Sequence, residues 1–172
     1  FSGVSFWEEF GPSAYVTRIR AEAMRDFGPS MSPMNAFLLL QGIETLSLRM
    51  DKHLSNTRAL LEYLQNHAQV AWVNHPDLPS HGSHEMAKKY LPRGAGSIVS
   101  FGVKGGRDAG KTFIENVQLA SHLANVGDAK TLIIHPATTT HSRIDGQALV
   151  DAGITEDMIR LSVGLEDVAD IM

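Results

Sequence analysis

Cysteine is absent from all 172 residues. That removes disulfides, thiolate metal sites and a cysteine nucleophile from consideration. No apolar run approaches the ~20 residues that a membrane-spanning helix needs, and no signal-peptide pattern opens the chain. With no cysteine pairs to suggest an oxidising compartment, the expected location is the cytoplasm and no membrane partner is expected. A basic excess is also missing: 15 Lys and Arg stand against 19 Asp and Glu, a net charge of −4. That argues against a nucleic-acid partner held by a strong positive field. Internal repeats, low-complexity tracts and blocks of like charge do not occur. What remains is ordinary globular material, 43% hydrophobic and 20% charged, enough for a sizeable core in about one domain. The first residue is Phe1, not Met, and the chain is expected to begin inside a longer protein.

Hydrophobic spacing organises this material. Tyr15, Val16, Ile19, Ala23 and Phe27 recur at near-helical spacing after a potential cap, Ser13, and Gly28-Pro29 ends the pattern. Ser32 and Pro33 form a sharp start for a second helix, with Ser at the N-cap and Pro where its missing N–H costs nothing. A stripe from Ala36 through Leu64 predicts one long helix over 32–66, with Gly42 as a candidate kink. Phe37, Leu38 and Leu48 widen its apolar surface beyond one stripe, so it asks for contacts on two sides. Beyond Asn66 the pattern predicts strands at 70–73, 97–103, 131–134 and 159–163, and helices at 85–91 and 108–122. Strands separated by helices predict an α/β domain with helices packed on a small sheet.

Several constellations could carry chemistry. Gly102-Val103-Lys104-Gly105-Gly106 is glycine-rich but lacks the Lys-Ser/Thr of a P-loop, and a tight strand-to-helix turn explains it. His75, His81 and His84 lie close in sequence without an H-E-x-x-H pattern, so no metal site is expected. No G-x-S-x-G elbow supports a hydrolytic triad. The segment from His135 to Ser142 follows a buried strand and presents Thr138, Thr139, Thr140 and Ser142. Those hydroxyls could line a ligand site at the strand end or bond locally to the backbone. Arg160 is the sharpest single residue, a guanidinium in the otherwise apolar strand 159–163. It is costly there unless paired, either with Glu166 or Asp167 or with a ligand carboxylate.

Taken together, three strings carry a family resemblance. They are Ser32-Pro33 through Leu46 and on to His53, the run His135-Pro136-Ala137-Thr138-Thr139-Thr140-His141, and Ile159-Arg160-Leu161-Ser162-Val163-Gly164-Leu165-Glu166-Asp167. In order and spacing the chain resembles the Cys/Met-metabolism pyridoxal-phosphate enzymes. Leu91 to Gly96 and Asn125-Val126-Gly127-Asp128 look most like the O-acetylhomoserine sulfhydrylase branch. The resemblance implies pyridoxal phosphate as cofactor, a small amino-acid substrate and a homo-oligomer. It implies that homocysteine is made by replacing the acetyl group of O-acetylhomoserine with sulfide. It also implies that Arg160 clamps the substrate α-carboxylate, that Thr140 lines the pocket, and that Asn125 stands where many relatives carry a serine.

The family's Schiff-base lysine lies in a Ser-x-Thr-Lys string. Lys52, Lys88, Lys89, Lys104, Lys111 and Lys130 all lie outside such a string. The resemblance therefore implies the C-terminal portion of a fold-type I enzyme, with the cofactor-binding and catalytic residues upstream. Its expected parts are the end of the large cofactor domain at 1–31, a connecting helix at 32–66, and a small C-terminal α/β domain at 67–172. The sheet is expected to be small and mostly antiparallel, with helices on one face. Such a piece alone should be inactive without its missing N-terminal domain. The rival readings are a stand-alone binding or assembly domain and, within the family, a cystathionine γ-synthase or γ-lyase.

Overall fold

The computed structural model describes residues 3–172. These divide into two compact units, a first that ends at Glu44 and a second from Thr45 to Met172.

The first unit is helical. A short helix, α1 (Phe6–Phe10), leads through a 3-10 turn at Gly11–Ser13 into α2 (Ala14–Arg18). A wide π-helical stretch, Ile19–Met24, continues into α3 (Arg25–Phe27). Gly28 then adopts the left-handed conformation, φ 55°, that halts a helix. The sequence pattern located this end but missed α1, and the Ser13 side chain makes no capping bond. Ser32 does cap: its Oγ accepts the Asn35 N–H at 3.1 Å and opens α4 (Pro33–Glu44). Phe37, Leu38, Leu39, Leu40 and Ile43 on α4 are each more than half exposed. Successive residues turn by about 100°, so four in a row surround the helix with apolar surface.

The single helix expected over 32–66 is two helices. The break falls at Thr45, not at Gly42, and α5 (Leu46–Asn66) starts after it. Thr45 has left the helical region (φ −102°, ψ 6°), and its carbonyl accepts the Arg49 N–H as a first-turn bond. The Arg49 guanidinium also donates to the Thr45 hydroxyl at 2.5 Å. A β-branched residue with a hydroxyl that bonds locally is better suited to such a junction than to a helix interior.

The second unit is built on a four-stranded, wholly antiparallel sheet in the order β1-β2-β4-β3. Its strands are β1 (Val70–Asn74), β2 (Ile98–Val103), β3 (Leu132–Ile134) and β4 (Met158–Ser162). Between them lie α6 (His84–Tyr90), α7 (Gly106–Asn116) and α8 (Gly146–Asp151), with α9 (Val168–Ile171) at the end. Strand side chains alternate between faces. Val99, Phe101 and Val103 of β2 and Ile159 and Leu161 of β4 point to one face. Leu60, Leu61 and Leu64 of α5 and Ile114 of α7 cover it. Burying a leucine fully is worth roughly 1.5–3 kcal/mol, so this face is the main source of stability for the unit. Phe113 closes edge-on against Phe101, with ring centroids 6.0 Å apart.

The helix expected over 108–122 stops at Asn116, and α8 and α9 were not anticipated. A smaller cluster of Ala137, Leu149 and Ile154 packs with Met158, whose side chain alternates away from Ile159. The second face of β4 is thereby part-covered near Met158. Arg160 lies two residues further along that face.

Candidate functional site

Arg160 is at the centre of the sheet. The antiparallel register places it directly across from Ser100 of β2 and Ile134 of β3, and Ser100 is in turn across from Asn74 of β1. Cross-strand partners share a face. The result is a row, Asn74–Ser100–Arg160–Ile134, on the side away from the main core. Arg160 is half-buried, and among the described residues its guanidinium has no hydrogen bond and no ion pair.

Both carboxylates that sequence reasoning offered as structural partners are engaged elsewhere. Glu166 receives the Thr131 N–H at 2.6 Å and the Thr131 hydroxyl at 2.8 Å. Asp167 caps α9, accepting the Ala169 N–H at 2.9 Å. An arginine fork on a strand, half removed from water and with the neighbouring acids committed, is suited to a carboxylate that arrives from outside.

The other two expected site residues lie at the surface. Thr140 is exposed and bonds His141 Nδ1 at 2.9 Å. Asn125 is exposed, and its Oδ1 accepts the Val126 N–H at 2.9 Å. Thr140 follows the C-terminal end of β3, and Asn125 lies in the loop before its N-terminal end. Among the described residues no hydrogen bond joins Arg160, Thr140 and Asn125. Of the remaining hydroxyls, Thr139 donates to the His135 carbonyl at 2.8 Å, a local turn bond.

The threonine turn has a rigid root. His135 is fully buried, its Nε2–H donating to the Glu156 carbonyl at 2.8 Å while Nδ1 accepts from the Thr138 hydroxyl. Arg107 adds an ion pair to Glu156 at 2.6 Å and a bond to the Ala137 carbonyl at 3.1 Å. A Cβ on Gly110 would lie 2.6 Å from the His135 ring, so α7 approaches that ring closely because residue 110 is glycine.

Three further side chains, at the exit of β4, escaped the sequence reading. His53 and Asn56 of α5 and Thr131 at the entry to β3 are all buried and bond the chain that leaves β4. The available signal was polar residues at buried positions of an otherwise leucine stripe, beside Leu54, Leu60 and Leu61.

The loop 91–96 is fastened in a comparable way. Arg58 donates to the Arg93 carbonyl, and Asp77 accepts the Ala95 N–H at 2.9 Å. His75 is buried; its Nε2–H donates to the Gly96 carbonyl at 3.2 Å, and its Nδ1 accepts the Asp77 N–H at 3.1 Å. Burial holds the His75 pKa below 6.5, against the opposing pull of Asp77. A second proton would also face a donor at Nδ1. The unfolded chain binds its proton near 6.5 and the folded chain only at lower pH, so stability is complete above 6.5 and lost as pH falls through the folded value. Urea midpoints should therefore drop between pH 7.5 and pH 5, and His75→Gln should flatten that part of the profile. An equal pH response in both proteins would assign it to other groups.

His81 and His84 each bond the local backbone. His81 accepts the Ser83 N–H, and His84 donates to the Pro76 carbonyl. Each lysine is exposed. Lys88 pairs with Glu85, Lys104 donates to the Ala68 carbonyl, and Lys89 lies over the Tyr90 ring.

Comparison with known proteins decides the family. The Cys/Met metabolism PLP-dependent enzyme family matches residues 12–172. The chain belongs to this family. A homocysteine synthase from Schizosaccharomyces pombe is 49% identical over 172 residues, all of this chain and 40% of that protein. A Campylobacter jejuni structure, described as an O-acetylhomoserine (thiol)-lyase with a pyridoxyl-lysine monophosphate, superposes with a TM-score of 0.82 at 41% identity. It covers 91% of this chain and 37% of that one. A cystathionine γ-synthase from Xanthomonas oryzae, solved with aminoacrylate and cysteine, gives a TM-score of 0.75 at 35% identity over 84% of this chain and 37% of that one. The chain thus spans about 40% of the length of the curated relatives it matches. The small antiparallel sheet with its helices is that of fold-type I members of this PLP-dependent family.

Proposed function

We propose that this chain is the C-terminal, substrate-holding part of a PLP-dependent O-acetylhomoserine sulfhydrylase. The net reaction is γ-replacement: the Cγ–O bond to acetate breaks, a C–S bond to sulfide forms, and homocysteine and acetate leave. The observation that carries this reading is the half-buried Arg160 guanidinium, which meets no carboxylate among the described residues, while Glu166 and Asp167 are committed elsewhere. In this reading Arg160 takes the substrate α-carboxylate with its planar fork and fixes the amino acid's orientation, and Thr140 and Asn125 contribute polar edges to the pocket. The lysine that carries the cofactor belongs to the remainder of the protein, which supplies the catalytic groups. The expected parts are the end of the cofactor domain at 1–31, the connector at 32–66 and the small domain at 67–172.

The apolar girdle of α4 supports a setting inside a larger assembly. A helix that is hydrophobic all round is stable only when enclosed, here by the cofactor domain and by other copies in a homo-oligomer. A free-standing assembly domain would use the same surface, and the similarity to a cystathionine γ-synthase keeps cysteine open as the sulfur donor. One assay separates these readings. The full-length protein, loaded with pyridoxal phosphate, should form homocysteine from O-acetylhomoserine and sulfide faster than cystathionine from the same ester and cysteine. The opposite preference selects the synthase, and no turnover with either donor selects the assembly domain. With the 172-residue chain alone, borohydride reduction in the presence of pyridoxal phosphate should leave no adduct at any single lysine. A specific adduct would put the Schiff base in this chain and contradict the division of labour.

A further inference from the structure

Among the described residues no side chain bonds the Arg160 guanidinium, so its direction is set by the backbone that carries it. β4 must keep its register, because a slip of one residue would exchange Arg160 with a core position and bring Ile159 or Leu161 out. The ladder with β2 and β3 ends at Ser162. Immediately beyond it, α5 takes hold of the chain. His53 Nδ1–H donates to the Val163 carbonyl at 2.6 Å. The Asn56 amide spends both its N–H groups on the Gly164 and Glu166 carbonyls, at 3.0 and 2.9 Å. Both side chains are 1% exposed. From the other side, the Thr131 hydroxyl accepts the Gly164 N–H at 2.9 Å, and the Leu165 N–H donates to the Ala129 carbonyl at 2.9 Å.

We propose that Asn56, assisted by His53, is a positioning residue for Arg160, a register lock that presents the guanidinium to the substrate carboxylate. The proposal rests on Arg160 being that clamp. Three carbonyls within four residues are tied to one turn of one helix, and that helix is fixed to the opposite face of the sheet by Leu60, Leu61 and Leu64. The tie therefore joins the core face to the substrate face through the strand end. Without the amide, one buried carbonyl and one part-buried carbonyl lose their donors, and the strand end can relax toward whatever satisfies them. A misplacement on the ångström scale of a group that orients substrate costs on the order of 10- to 100-fold.

The test is a double-mutant cycle in the full-length, cofactor-loaded enzyme. Asn56→Leu keeps the shape and removes both donors. Its KM for O-acetylhomoserine should rise about tenfold or more, while kcat and the cofactor absorbance stay near wild type. In an Arg160→Ala background the same substitution should raise KM no further, because the group it positions is gone. An unchanged KM for Asn56→Leu, or an equal rise in both backgrounds, would reduce Asn56 to a purely structural role and overturn the proposal. If Arg160→Ala alone leaves KM unchanged, the clamp reading itself fails and the lock falls with it. Should Asn56→Leu fail to accumulate, Asn56→Ser, which leaves space for a water, carries the same comparison with the same outcomes.

Discussion

Replacing Arg160 with alanine in the full-length enzyme should lower kcat/KM for O-acetylhomoserine by a factor corresponding to roughly 2–5 kcal/mol, the usual loss when one partner of a desolvated charge pair is truncated. Among the described residues Glu166 bonds Thr131 and Asp167 caps α9, so neither is an ion-pair partner that the substitution would release. Folding stability should accordingly change little, and cofactor loading should be retained. Arg160→Lys should recover only part of the activity, because an ammonium is a point charge and cannot match both carboxylate oxygens. Wild-type kcat/KM in Arg160→Ala would remove the clamp, whatever the fold.

Gly164→Ala should produce the largest loss of stability among single methyl additions near the site. A Cβ there would lie 2.4 Å from the Thr131 N, 2.5 Å from the Lys130 carbonyl carbon and 2.3 Å from Glu166 Oε2. Two of those atoms are backbone, so a side-chain rotation cannot relieve the clash. The cost should be about 3 kcal/mol, at the upper end for overpacking, because the joint also carries the Asn56 and Thr131 bonds. A chemical-denaturation midpoint for the 172-residue chain measures it. A midpoint equal to wild type would mean that β3 and the exit of β4 separate freely, and that the joint does not hold Arg160 in place.

Much of the second unit was legible in the sequence because its signals are local. The runs at 98–103 and 158–162 are mostly β-branched or apolar and bounded by glycine or turn residues, and each became a strand within one residue of the expected limits. Ser32-Pro33 marked the start of α4 through a cap and a fixed φ. The break at Thr45 was hidden because the leucine pattern continues on both sides of it. The short α8 and α9 carry too few residues for a period to register.

The residue types of the candidate site stood out in the sequence, and their geometry did not. Arg160 stood out as a charge in an apolar strand, but whether Glu166 or Asp167 would neutralise it depends on side-chain directions that spacing does not encode. The expectation that ligands gather at strand ends belongs to parallel sheets. In this antiparallel sheet Arg160 is mid-strand, and its face is what distinguishes it. His53 and Asn56 went unread because a polar residue on a leucine stripe is informative only once its partner, 110 residues away in the chain, is known.

The central claim is that Arg160 reads the substrate's α-carboxylate. It is tested most directly by the competitive inhibition constants of homoserine and aminopropanol, which differ only by that carboxylate, against the full-length wild type and Arg160→Ala. Wild type should prefer homoserine by on the order of 100-fold, and Arg160→Ala should lose most of this preference while binding aminopropanol as wild type does. An equal preference for homoserine in both proteins would show that the carboxylate is held by another group and would contradict the account.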